Sequence, residues 1–116
     1  MKHNFKELKV WQRAMALVQN IYVISKKLPD SEKYGLTSQI TRCAVSIPSN
    51  IAEGSARGTE KEFQHFLRIA LGSSFELETQ LIIARNRNYI TEEQLTKIEV
   101  KIQEFQKMTM SFQNKL

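Results

Sequence analysis

The amino-acid sequence predicts an all-α protein, an antiparallel up-down four-helix bundle formed by a single domain over 1–116. Three observations carry this expectation. Apolar residues recur at spacings of three and four through most of the chain, while strand-type alternation is absent. Only Pro29 and Pro48 interrupt the pattern. Two capping boxes, Thr59 with Glu62 and Thr91 with Gln94, mark places where helices begin. A chain of 116 residues builds a modest core, so self-association would add burial.

The first helix is expected from about Phe5 to Leu28. Leu8, Trp11, Met15, Val18 and Tyr22 form one apolar stripe, and Val10, Ala14, Leu17, Ile21 and Ile24 form a second beside it. Pro29 then stops the helix. The second helix is expected from Leu36 to Glu53. Ile40, Ala44, Ile47 and Ile51 keep helical phase across Pro48, which favours one bent helix over a break with a new helix opening on the proline. Gly54 is expected at its C-cap, with the GSARG stretch as the turn that follows.

The third helix opens at Thr59 and runs to about Arg87, with Phe63, Phe66, Leu67, Ala70, Leu77, Leu81 and Ala84 as its main stripe. Leu71, Phe75 and Ile82 widen its apolar arc beyond one contact face. NRNY at 86–89 is the next turn. The fourth helix opens at Thr91, and Leu95, Ile98, Ile102, Phe105, Thr109, Phe112 and Leu116 repeat along it like a coiled-coil seam.

The second helix carries unusual polar residues. Gln39, Arg42, Ser46, Ser49, Asn50 and Glu53 share one flank, where an ordinary solvated face would be rich in Lys and Glu. The third helix has a comparable flank of Glu62, His65, Ser73, Glu76 and Gln80, with Gly72 and Ser73 lacking the bulk to hold another helix away. A hydrogen-bonded polar seam is expected here, either within a subunit or between subunits. If buried, Arg42 would need Glu76 or Glu53 as its partner.

Three stretches, FKELKVWQRAMAL, LPDSEKYGLTSQITRCAVSIPSNIAEGSARG and FLRIALGSSFELETQL, carry a resemblance. The chain resembles the small four-helix-bundle proteins named after 23S rRNA intervening sequences. The resemblance implies assembly as a ring-shaped homopentamer. It also implies a distant likeness to accessory proteins of diversity-generating retroelements, which bind nucleic acid and a reverse transcriptase. A protein partner such as a reverse transcriptase is thus an expectation of the resemblance alone.

Enzyme chemistry finds no support in the residues. Glu62 and His65 form an E-x-x-H, but a di-metal bundle needs a second one, and the other histidine is His3. Cys43 is the only cysteine and histidine is scarce, which disfavours Cys-His catalysis. Ser46, Ser49, Ser73 and Ser74 lack a G-x-S-x-G context. Gly54 and Gly58 match neither a phosphate loop nor a dinucleotide fingerprint. No catalysis, cofactor or metal is therefore expected. No run of ~18 apolar residues suits a membrane span, and MKHNFKELKVWQ has no signal-peptide character. The lone thiol suits a reducing compartment, so a cytoplasmic location is expected.

The net charge of +5 is unevenly distributed. Residues 1–28 hold six basic residues and one acid, while each later segment is balanced. Lys2, Lys6, Lys9 and Arg13 step by four, three and four, lining one side of the first helix. Such a face is either ordinary solvated surface or a contact for phosphate backbones of RNA or DNA, with weak sequence preference. The rival expectation is an oligomeric scaffold that binds a protein without nucleic acid.

Overall fold

The computed structural model describes residues 3–116 and contains four α-helices: α1 (Lys9–Ser25), α2 (Leu36–Ser55), α3 (Glu60–Asn86) and α4 (Glu92–Asn114). There is no strand among the described residues. Each helix packs on its chain neighbours, α4 returns to α1, and the backbones of the diagonal pairs stay apart. Cys43 of α2 meets Ser73 of α3, and Gly54 meets Phe63 and Phe66, so these two helices run antiparallel. Gln64 and Glu78 of α3 likewise meet Gln113 and Gln103 of α4. The pattern is that of a four-helix bundle, and its 45 Å longest extent is close to the ~40 Å length of a 27-residue helix.

The core follows the apolar periodicity. Ala14, Ile21, Ile40, Ile47, Ile51, Leu67, Leu77, Leu81, Ile102 and Phe105 are fully buried. On α1 it is the Val10 to Ile24 stripe that faces this core, whereas Met15 and Tyr22 of the other stripe stay exposed. The Thr91 capping box is complete: Gln94 N–H donates to Thr91 Oγ1 and Thr91 N–H donates to Gln94 Oε1. Thr59 accepts from Glu62 N–H, but the Glu62 carboxylate takes the Thr59 hydroxyl instead of the backbone.

Two local expectations are corrected, the start of the first helix and the role of Gly54, while one helix running across Pro48 is as expected. The first helix does not begin at Phe5: Phe5–Glu7 forms a separate 3-10 turn capped by Asn4, and Leu8 is extended (ψ 126°) before α1 starts at Lys9. Pro48 lies inside an uninterrupted α2, which runs on to Ser55. Gly54 is therefore not a C-cap but an interior residue. An added Cβ there would sit 2.5 Å from Phe66 Cβ and 3.0 Å from Phe63 Cδ1, so glycine lets α2 and α3 approach closely. The α3–α4 turn does contain a left-handed residue, Asn88 at φ 64°, a conformation asparagine tolerates better than most residues.

The two inter-helix loops at one end are tied together. Glu32 accepts the N–H of Leu36 through Oε1 and the hydroxyl of Tyr89 through Oε2. These bonds, the Leu36 N–H first, hold the Glu32 carboxyl below its ordinary value, with Arg87 adding attraction.

Candidate nucleic-acid interface

Of the basic residues singled out in the sequence, Lys2 lies outside the described residues. Lys6 sits on the 3-10 turn, its ammonium 5.9 Å from the Phe5 ring centroid, and the extended Leu8 separates it from α1. Only Lys9 and Arg13 share a helix, one turn apart. The four-residue stripe expected on one helix is thus not a single helical face.

Packing supplies other cations in its place. The furrow between α1 and α4 is lined in succession by Lys9 and Lys115, by Arg13 and Lys101, and by Lys27, Lys97 and Lys101. These six cations face two lining carboxylates, Glu7 and Glu104. Arg13 Nη1 donates to Glu104 Oε2 at 2.8 Å, and Lys97 reaches Glu93 at 3.1 Å. Both pairs are largely solvent-exposed, and exposed pairs of this kind contribute only ~0–1 kcal/mol, so a phosphate can compete for the cations.

Lys97, Lys101 and Lys115 were missed because residues 91–116 carry equal numbers of acids and bases. The fold sorts them. Glu92 turns to Arg85 at 3.0 Å. Glu99 lies toward Glu78 of α3; desolvation first, then the Glu78 carboxylate, push its carboxyl above the ordinary value. Two of the four α4 acids, Glu92 and Glu99, thus lie toward α3, while Glu104 lines the furrow with Lys101 and Glu93 pairs with Lys97. A helical-wheel comparison of α1 and α4 as antiparallel neighbours would have exposed this.

The polar residues of α2 and α3 do not join into an intrachain network. Ser46 Oγ donates to Cys43 O at 2.6 Å and Asn50 Nδ2 to Ser46 O at 2.8 Å, both within α2. Glu53 pairs with Arg57 at 2.7 Å, and Gln80 donates to Glu76 at 3.3 Å. Gln39, Arg42, Glu53 and Glu76 are exposed, and Ser46, Asn50 and Ser73 are half-buried. Among the described residues Arg42 forms no ion pair. The short side chains bond their own helix backbone, and of these flanks it is the buried Gln80 whose Oε1 is left without a partner. Between α2 and α3 in this region, Cys43 Sγ donates to Ser73 O at 3.0 Å. Burial, and next the Glu76 carboxylate, push this thiol up to about 12.

Glu62 and His65 are exposed, and among the described residues no group of His, Cys, Asp or Glu is gathered as metal ligands would be. No helix is long and apolar enough to cross a membrane.

The family model for 23S rRNA-intervening sequence proteins matches residues 6–111. The chain belongs to this family. A solved structure of a protein of unknown function, from the S23 ribosomal protein family of Bacteroides thetaiotaomicron, superposes on this family member with a TM-score of 0.82. The two are 28% identical, over 90% of this chain and 97% of the other. No curated protein matches the sequence.

Proposed function

We propose that this family member is a non-enzymatic, cytoplasmic homo-oligomer that binds the phosphate backbone of RNA or DNA along its α1–α4 furrow. The observation that carries the reading is the furrow's excess of cations, six against two lining carboxylates, drawn from α1, α4 and the residues just beyond their C-terminal ends. Backbone contacts position a nucleic acid without reading its bases, so sequence preference is expected to be weak. The test is binding of generic RNA and DNA across salt. Four lost phosphate contacts should flatten the log-log slope by ~2.8 for single strands, at ~0.7 each. Replacing Lys9, Arg13, Lys97 and Lys101 together by Gln should do this while leaving the helical circular-dichroism signal intact. A wild-type protein that binds neither RNA nor DNA at ~50 mM salt, where such contacts are strong, removes the proposal. Retention of a protein partner, such as a reverse transcriptase, after nuclease treatment would then favour the scaffold.

Assembly is supported by apolar surface left uncovered on single chains. Ile69, Phe75, Ile82 and Ile83 are exposed on α3, and Trp11, Met15, Val18, Val45, Pro48 and Ala52 line a depression of about 320 Å³ between α1 and α2. Copies of the chain would cover such surface in a closed ring, with the number five taken from the resemblance. Gln39, Arg42, Ser46, Asn50, Glu53, Ser73 and Glu76 would then be contact residues between subunits. Light scattering should give about five times the 13.5 kDa chain mass. Glu76→Ala should reduce that mass more than it lowers chain stability, since Glu76 is exposed. A monodisperse monomer at micromolar concentration refutes the assembly.

A further inference from the structure

We infer that the α1–α4 furrow takes nucleic acid as a single strand and seats an unstacked base on the apolar floor formed by Val23, Ile24 and Ile98. This rests on the proposal that the furrow binds nucleic acid at all.

The floor belongs to a depression of about 260 Å³ at the Lys27 end of the furrow. Val23 is 66% exposed, more than any other large aliphatic side chain among the described residues, while Ile24 and Ile98 close the bottom. Lys27 and Lys97 stand at its rim, with Lys101 shared with the next depression, and no acidic residue lines it. Asn20 and Gln94 add amide groups at its edges. Gln94 Oε1 is held by Thr91 N–H, which fixes that side chain beside the site.

A duplex offers this arrangement little. Its bases are stacked inside and its outer surface is phosphate, which gains from cations but not from an apolar floor. Neighbouring helix axes in a bundle lie about 8–10 Å apart, so the furrow between them suits one backbone better than two. A single strand presents both missing elements: phosphates for the lysines and exposed base faces for the floor. The pattern recurs along the furrow. Leu8, Met108 and Phe112 lie beside Lys9 and Lys115, and Ala16 and Leu17 lie beside Arg13 and Lys101. The three depressions follow one another about seven residues apart on α1, roughly 10 Å by helical rise.

The test measures fluorescence polarisation of the full-length protein with three labelled probes of equal length. They are a single-stranded RNA, a duplex of the same sequence, and an abasic strand that keeps the phosphates. The single strand should bind severalfold tighter than the abasic strand, because a base face covers apolar surface that the abasic strand leaves in water, and tighter than the duplex. Val23→Ser should abolish that advantage while leaving abasic binding and the salt slope unchanged. The exposure of Val23 keeps this substitution clear of the core. Equal binding of all three probes, unaffected by Val23→Ser, overturns the single-strand inference and leaves backbone binding standing. Absence of binding to every probe at ~50 mM salt removes both. Poly-glutamate competing as well as the single strand, with the same sensitivity to Val23→Ser, overturns the inference in favour of an acidic protein segment.

Discussion

Gly54 and Gly72 are both interior helical glycines, yet alanine at the two positions should have opposite effects. Helix propensity alone favours alanine by ~1 kcal/mol at either site. At Gly72 an added Cβ meets nothing within 4 Å, so the gain should be realised nearly in full. At Gly54 the same Cβ would lie 2.5 Å from Phe66 Cβ and 3.0 Å from the Phe63 ring. Phe66 Cβ is fixed to its backbone, and no rotamer change moves it away. Relief requires α2 and α3 to separate, and overpacking of this kind costs ~1–3 kcal/mol or more. Taking the upper part of that range and subtracting the propensity gain leaves a net loss of ~1–2 kcal/mol for Gly54→Ala. The two variants should then differ by ~2–3 kcal/mol. Urea unfolding by circular dichroism, at one fixed protein concentration because assembly couples to stability, measures the difference. Gly54→Ala at or above wild-type stability would refute the close-packing argument. Gly72→Ala that lowers the light-scattering mass would instead place Gly72 against a neighbouring subunit.

Three further outcomes follow from the buried and paired groups. Glu99→Gln should stabilise the bundle at neutral pH. The raised folded-state value means that Glu99 favours folding below its ordinary 4.5 and loses that contribution as pH rises through the folded value. The advantage of Gln should therefore disappear under acid, and parallel pH-stability curves for the two proteins would contradict it. Glu32 has the opposite sign: its contribution is present above 4.5 and lost as pH falls through its lowered value. Tyr89→Phe, which removes one of the bonds lowering it, should shrink the acid-side loss of stability in urea titrations. Cys43, buried and held near 12, should resist iodoacetamide until urea unfolds the chain. Mass-spectrometric labelling of folded protein at the rate of a free thiol would show that the α2–α3 contact opens readily.

The sequence by itself determined the four helices, most of their ends and the residues of the core. Those features depend on local capping and on a periodicity that survives even across Pro48, because Ile40, Ala44, Ile47 and Ile51 stay in phase and their burial outweighs the missing hydrogen bond. Local signals also misled. Gly54 resembled a C-cap because a glycine needed for close helix approach looks the same in sequence as one needed for a turn. The polar flank of α2 left its partners open, within a subunit or between subunits, because a one-dimensional pattern does not tell whether Ser46 and Asn50 bond across helices or to their own backbone. The cationic furrow was legible only in part. Lys9 and Arg13 stood out, but Lys97, Lys101 and Lys115 belong to a segment, residues 91–116, of balanced charge. Only tertiary packing decided that those lysines join α1 while Glu99 turns toward Glu78, because the electrostatic field of a surface is set by which helix faces become neighbours and not by the order of charges along the chain.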